Sequence, residues 1–353
     1  MTKTLNTDSE NRIAVWAITP NGAALAVRIA AALPGADVFA TDRLEGLPES
    51  AVRFRSLAEA VAGHFHRCDG HVFIMATGIV VRSVAGLLVH KTADPAVVVV
   101  DDRGTFAVSL LSGHLGGANR LAGQVAAAIG AQPVITTATD VNAVPAIDVL
   151  AAERGLKIEN PQAIKTVNMA LLTGSPVEVH DPLSILAGRI PHAAAFNGSG
   201  DAVPARIYAD DRIAAAPAGA LVLRPRSLVA GIGCNRNTRP EEIKELLFET
   251  LHAAGLARAS LMKLASVDLK ADEPGLAALA KELDLPLEFF DRGQIGEMEE
   301  AVPTPSAVVA KHIGVKSVCE AAAILASRGG NLIVPKRSSR NATVAIARIS
   351  FTS

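Results

Sequence analysis

At 353 residues, half of them hydrophobic and a fifth charged, the chain can bury two or three separate cores, and its formal net charge of −1 lacks the basic excess of a protein that coats nucleic acid. Ten Phe, one Trp and one Tyr are too few for base-stacking platforms, and Cys68, Cys234 and Cys319 are too scattered for a disulfide framework and read as reduced thiols. The polar start MTKTLNTDSE has no signal-peptide core and no apolar run approaches the ~18–20 residues of a membrane span, so a soluble, cytoplasmic globular protein is expected.

In chain order, RIAVWAIT (12–19) reads as a first strand, followed by a turn at Pro20-Asn21-Gly22 and an Ala-rich helix to about Leu33. GADVFAT (35–41) is a second strand, and Ser56 to Glu59 has capping-box spacing at a helix start. HVFIMATG (71–78) and AVVVVDD (96–102) are nearly all apolar, as strands buried on both faces should be. TFAVSLL (105–111) is a further short strand, a helix starts near Gly117, and PVITTATD (133–140) completes the first sheet. Strands alternating with helices imply βαβ units and a mostly parallel sheet.

From about Val141 the pattern changes to two helices joined at Gly155 to Pro161, then a looser stretch over 174–226 that reads as the end of a small middle domain. A second α/β unit starts at SLVAGIG (227–233). It continues through a capping box at Thr238-Arg239-Pro240-Glu241, LMKLASVDLK, LPLEFFD, a helix from Ser317 to about Ser327, NLIVPK and ATVAIAR. The expected fold is α/β: two α/β units with mostly parallel sheets joined by a smaller middle domain. The expected boundaries are 11–140, 141–226 and 227–353.

The stretch SLLSGHLGGANRLA (109–122) places Ser112, His114 and three glycines at a strand-to-helix junction. A serine-hydrolase elbow needs glycine two residues to either side of the serine, but here those positions hold Leu110 and His114. Gly113, Gly116 and Gly117 would instead free backbone N–H groups at a helix start to hold a carboxylate or phosphate, or simply form a tight turn. GIGCNRNTRPEE (231–242) repeats the logic with Gly231, Gly233, Asn235 and Arg236, and Arg236 stands where a dinucleotide fingerprint would have its third glycine. His64, Cys68 and His71 in GHFHRCDGH would share a helix face but match no zinc spacing, so no metal site is expected. Asp101-Asp102-Arg103-Gly104 fits a hairpin turn, although both carboxylates are near His114 in sequence and either is a candidate base.

The segment TGIVVRSVAGLLVHKTADPAVVVVDDRGTFAVSLLSGHLGGANRLA (77–122) resembles the CbiG family, the cobalt-precorrin-5A hydrolases of anaerobic cobalamin biosynthesis. The resemblance continues through VNAVPAIDVLAAERGLKIENP, VAGIGCNRNTRPEEI, LASVDLKADEPGLAALA, SVCEAAA and VPKRSSRNATVAIAR, and so covers nearly the whole chain. Small departures are AGLL where the family has APLL, and Asp102 where it often has Glu.

The resemblance implies an enzyme that opens the ring A lactone of cobalt-precorrin-5A and releases acetaldehyde, leaving cobalt-precorrin-5B. It implies no cofactor of the protein's own, because the cobalt is carried by the substrate. The partners expected are that small molecule and, transiently, neighbouring pathway enzymes, with no nucleic acid and no membrane. On this reading His114 is the first choice for general base, with Asp101 or Asp102 to orient or replace it and Ser112 as a further catalytic candidate. N–H groups around Gly116 and Gly117 would hold the oxyanion. Arg82, Lys91, Gly113, Asn119, Gly231, Gly233, Asn235, Arg236, Ser266, Lys270 and Lys336 are the candidate substrate contacts, while Ser317 to Glu320 has capping-box spacing. A corrinoid carrier without chemistry is the competing reading. A nucleotide-dependent transferase is disfavoured because neither GxxxxGK[ST] nor a complete GxGxxG occurs.

Overall fold

The computed structural model describes residues 12–90, 93–195, 205–213, 216–298, 302–303 and 317–351. The chain divides into two compact units, Asp8–Leu150 and Ala151–Ser353. Among the described residues, no helix is long and apolar enough to cross a membrane.

The first unit runs β1 (Ile13–Ala17), α1 (Pro20–Ala32), β2 (Ala36–Thr41), β3 (Val52–Phe54), α2 (Leu57–His64), β4 (Gly70–Ile74), α3 (Thr77–Val84), β5 (Ala96–Val100), β6 (Phe106–Leu111), α4 (Ala118–Ile129), β7 (Gln132–Val134), α5 (Ala138–Val141) and α6 (Ile147–Glu153). Its sheet has the order β3-β2-β1-β4-β5-β6-β7. Every residue of β1, β4 and β5 is buried, as their unbroken apolar runs require when helices cover both faces. One face packs Ile13, Val15, Val72 and Val98 against α1 and α4, and the other packs Trp16, Phe39 and Phe73 against α2 and α3.

Trp16 Nε1–H donates to His71 Nδ1 at 3.1 Å, so the Nε2–H of His71 is the donor to the Phe65 carbonyl at 3.0 Å. Burial pushes this histidine down to about 4 and holds it neutral. His64 ends α2 whereas His71 lies on β4, so the imagined shared helix face does not exist.

The register of β6 governs everything that follows. It pairs antiparallel to β5, with Val97 opposite Leu111 and Val100 opposite Ala107, and parallel to β7. The segments after β6 and β7 therefore emerge at the sheet edge opposite to those after β1, β4 and β5. The reading of 133–140 as one strand is corrected. Only Gln132–Val134 pair, and Thr137-Ala-Thr-Asp140 is the cap and first turn of α5. Ser56 caps α2 by accepting from the Glu59 N–H at 3.4 Å.

In the second unit, β8 (Leu156–Ile158), α7 (Ile164–Leu172), β9 (Val177–His180), β10 (Ala193–Ala195), β11 (Ala205–Ala209) and β12 (Leu221–Pro225) form a sheet ordered β10-β9-β11-β12-β8. All its pairs are parallel except β12 with β8. The stretch expected to be loose thus holds four strands. Their short apolar runs, such as Ile207 and Tyr208 or Leu221 and Leu223, are buried, and Arg206 Nε meets the buried Glu178 at 2.8 Å. The expected join between two helices contains β8.

The remaining sheet comprises β13 (Leu228–Cys234), β14 (Leu261–Val267), β15 (Leu287–Phe290), β16 (Asn331–Ser338) and β17 (Ala342–Arg348), ordered β15-β14-β13-β17-β16. It is interleaved with α8 (Pro240–Ala253), α9 (Pro274–Leu283), α10 (Arg292–Glu297) and α11 (Val318–Ala326). Gly231 serves packing, because a Cβ there would lie 1.8 Å from the Cys319 carbonyl oxygen of α11. Ser266 is fully buried and donates to the Ile232 carbonyl at 2.8 Å. Neither faces a ligand, which corrects their assignment as substrate contacts.

The two capping boxes expected in this part are not formed. The cap of α8 is Arg239, and Thr238 Oγ1 donates instead to the Asn235 carbonyl at 2.9 Å. Ser317 makes no side-chain cap bond, while Glu320 accepts the Lys336 N–H at 2.9 Å.

Candidate active site

Ser112 stands in the left-handed region at φ 58°, and Gly117 caps α4 at φ 83°. Gly113 and Gly116 lie where a Cβ would meet Asn119 Oδ1 at 2.8 Å and Ser112 Cβ at 2.3 Å. The loop folds this tightly because its carbonyls fill the start of the helix. The N–H groups of Gly117, Ala118 and Asn119 donate to His114, Ser112 and Gly113 at 2.8, 3.0 and 3.1 Å. The Gly117, Ala118 and Asn119 N–H groups are therefore used inside the loop and not aimed at a ligand, which corrects the expected oxyanion cradle at Gly117 to a tight turn.

What the turn does is present His114. Its Nε2 lies 3.2 Å from Asp140 Oδ2 and 2.9 Å from Thr139 Oγ1, and its Nδ1 lies 3.5 Å from Asp148 Oδ2. The His114 side chain is 21% exposed, Asp140 41% and Asp148 only 8%, so the group opens to solvent on the Asp140 side. Hydrogen bonding to Asp148 raises the pKa of His114; burial opposes the shift, and the charges of Asp148 and Asp140 add to it. The sequence made this histidine the first choice for general base. Its two carboxylate neighbours favour the imidazolium form, which suits a proton donor.

Asn119 organises the other side of Asp140. Its Oδ1 accepts from Ser109 Oγ at 2.7 Å, and its Nδ2 donates to Thr137 Oγ1 at 2.9 Å and to Asp140 Oδ2 at 3.1 Å. Thr137 Oγ1 donates to the same carboxylate oxygen at 2.5 Å. Strands β6 and β7, parallel neighbours, deliver these groups to one sheet edge. Replacing Asn119 by Ala is expected to slow turnover roughly tenfold or more by freeing the Asp140 carboxylate. Circular dichroism and a melt checks that the fold survives, and unchanged turnover would show that Thr137 alone suffices.

Asp101 and Asp102 do not orient His114. They follow β5, at the far end of β6, whose six residues span about 20 Å at ~3.4 Å each. Asp101 closes the hairpin turn by accepting the N–H groups of Arg103 at 3.2 Å and Phe106 at 2.6 Å. Burial works against its charge, but the bonds from Phe106 and Arg103 win and hold its carboxyl below the usual range. Asp102 accepts from Thr19 Oγ1 and from Asn21 Nδ2, the latter at 3.1 Å. Arg82 lies on α3, which follows β4 to that same distant edge, and donates to the Gly78 carbonyl at 3.0 Å. Lys91 lies outside the described residues.

The C-terminal candidates fare differently. Gly233, Asn235, Arg236, Lys270 and Lys336 all line one cavity of about 590 Å³ at the end of β13. Among the described residues, no group of three His, Cys, Asp or Glu side chains is placed to hold a metal ion.

Sequence models of one family match the chain in order. The cobalamin synthesis G N-terminal part matches residues 59–140, the cobalamin biosynthesis central region 145–225, and the cobalamin synthesis G C-terminus 228–347. A Salmonella typhimurium protein named cobalt-precorrin-5A hydrolase is 38% identical over 336 residues, 92% of this chain and 94% of that protein. The chain belongs to the cobalamin synthesis G (CbiG) family. A Priestia megaterium protein of the same name is 30% identical over 364 residues, 96% of this chain and 95% of that one. Protein CobE of a Sinorhizobium species is 37% identical over 121 residues, covering 34% of this chain and 79% of CobE.

Within the CbiG segments, the His114 group except Asp148 lies in the N-terminal one and the cavity in the C-terminal one. Sequence reasoning found His114 and Asn119 but missed Ser109, Thr137, Thr139, Asp140 and Asp148. A signal for two of them existed, since Thr137-x-x-Asp140 has the spacing of a helix start.

Proposed function

We propose that this chain hydrolyses cobalt-precorrin-5A, opening the ring A lactone and releasing acetaldehyde to give cobalt-precorrin-5B. The observation that carries the reading is the 38% identity, over 92% of the chain, to the Salmonella typhimurium hydrolase. The His114 group supports it, because it offers an acid and a base side by side. Exposed Leu115 and Val141 are chain neighbours of His114 and Asp140, and apolar surface beside a polar site suits the face of a macrocycle.

One water is consumed and the protons balance. Asp140, whose Oδ1 accepts no hydrogen bond among the described residues, takes a proton from the water whose oxygen adds to the lactone carbonyl carbon. The acyl C–O bond then breaks, leaving an alkoxide on the meso carbon and a ring A carboxylic acid, which releases the second proton of the water to solvent. The alkoxide forms the C=O of acetaldehyde as the bond from that carbon to the macrocycle breaks, and that electron pair enters the macrocycle. His114 protonates the macrocycle that receives this pair and recovers its proton from Asp140 across their hydrogen bond. The macrocycle is the electron sink, so the step needs no redox cofactor, and the cobalt arrives with the substrate. A cytoplasmic location agrees with three free cysteines.

The test is anaerobic incubation of the purified chain with cobalt-precorrin-5A, trapping acetaldehyde as a hydrazone. One equivalent released per substrate consumed is expected. The C-terminal likeness to CobE favours a second reading, a corrinoid carrier, and tight binding without release would establish it.

A further inference from the structure

The cavity in the last sheet is not used by the chemistry above. It opens at the C-terminal ends of the parallel strands β13 and β14, beside the N-terminal end of α11 and the start of β17. Parallel strands leave a crevice for ligands at that edge. Its volume of about 590 Å³ falls within the ~300–1,000 Å³ of small-molecule sites.

The described residues that line it include four cations and no carboxylate: Arg236, Lys270, Lys336 and Arg340. Each comes from a different stretch, after β13, after β14, within β16 and in the β16–β17 turn, so the cluster exists only where the fold brings them together, and Asp272 and Glu273 beside Arg236 offset part of its charge. The floor is apolar, with Val267, Val318 and Ala342, and no aromatic ring is present among the described lining residues. Such a site suits a ligand with an apolar edge and several anionic arms better than a nucleotide, whose base would seek a stacking partner.

Two of the cations are positioned in advance. Asp272 holds Arg236 at 2.6 Å. Glu242 of α8 grips the turn that carries Arg340, accepting from Ser339 Oγ at 2.7 Å, the Asn341 N–H at 2.9 Å and Asn341 Nδ2 at 3.1 Å. Order set before binding lowers the entropic cost of holding a charged ligand.

We propose that this cavity is a ligand site in its own right, built wholly from the C-terminal CbiG segment, and that it takes the carboxylate arms along one edge of a polycarboxylate tetrapyrrole. The ligand class rests on the corrinoid reading above, whereas the assignment of an oligocarboxylate site rests on the cavity itself.

The experiment is calorimetric titration of the full chain with cobyrinic acid, a corrinoid bearing seven carboxylates, and with its uncharged heptamethyl ester. Wild type is compared with Lys336→Ala/Arg340→Ala and with the single variant Lys270→Ala, which serves if the double variant fails to fold. Cobyrinic acid is expected to bind the double variant at least about tenfold more weakly and Lys270→Ala about threefold, with the ester binding all three alike. Equal affinity for cobyrinic acid in all three proteins overturns the assignment, as does full displacement by equimolar ATP. Acetaldehyde release is measured in parallel. A chain that releases none but loses cobyrinic acid in the variants refutes the hydrolase and keeps the cavity. Release with unaltered binding does the reverse.

Discussion

Changing His114 to Ala is expected to lower the rate of acetaldehyde release at least a hundredfold, with circular dichroism unchanged. The imidazole occupies the space between Asp140 and Asp148, within reach of both. General acid–base groups contribute about 10²–10⁴ in rate, which sets the scale of the loss. The pH profile separates the two roles open to the residue. As an imidazolium donor, its activity falls as pH rises through its raised pKa. As a base, activity would rise over the same range. Because the hydrogen bond to Asp148 is the largest cause of the shift, Asp148→Asn should move the alkaline fall to lower pH. The same charge stabilises the fold: its contribution is fully present below the ordinary histidine value of ~6.5 and is lost as pH climbs through the raised one. A fall at the same pH in Asp148→Asn would refute this account of the shift.

The central strands of the sheets at the two chain ends were legible because strands buried on two faces leave unbroken apolar runs such as AVVVV and VAGIG, although the last sheet pairs β13 with β17 and β16 with β17 antiparallel. The middle sheet was not. Its strands are three to five residues long, and β8 and β10 at its edges have only three each, so no window is long enough to show a period. The turn at Asp101–Gly104 was read correctly as a hairpin, yet its consequence was not drawn. A six-residue strand leaving that turn carries His114 to the opposite sheet edge, so nearness in sequence gave Asp101 and Asp102 as partners where topology supplies Asp140 and Asp148. Glycines misled in a related way. Gly116 and Gly231 permit close approach of backbone to backbone, and their sequence context cannot tell that need from an exposed row of N–H groups. Cations were easier to place, because Arg236, Lys270 and Lys336 follow or end strands whose direction the pattern had already given.

The ion pair of Asp211 with Arg348 offers the largest expected loss of stability. Asp211 follows β11, is fully buried, and accepts Arg348 Nε and Nη2 at 2.7 Å each and Ser227 Oγ at 2.7 Å. Arg348 ends β17 and pairs with Leu228 at the start of β13, so one carboxylate ties the middle sheet to the two central strands of the last one. Removing one partner of a buried ion pair costs about 3–5 kcal/mol, chiefly because the survivor stays buried without its counter-charge. That penalty is unequal here. Asp211→Leu strands an arginine whose side chain is 21% exposed and can find water, whereas Arg348→Leu strands a carboxylate with no exposure at all. Arg348→Leu should therefore be the more damaging change, lowering the melting temperature by about 10 °C or more for a unit of this size. The double variant should recover part of that loss, because it leaves no buried charge behind. Denaturant unfolding of the four proteins measures the cycle directly. Equal losses in the two single variants would mean that water reaches Asp211 once Arg348 is gone. A double variant as unstable as their sum would mean that the two side chains act independently, and that the junction is held by Ser227 and the backbone bond from the Ala257 N–H to the Asp211 carbonyl at 2.7 Å.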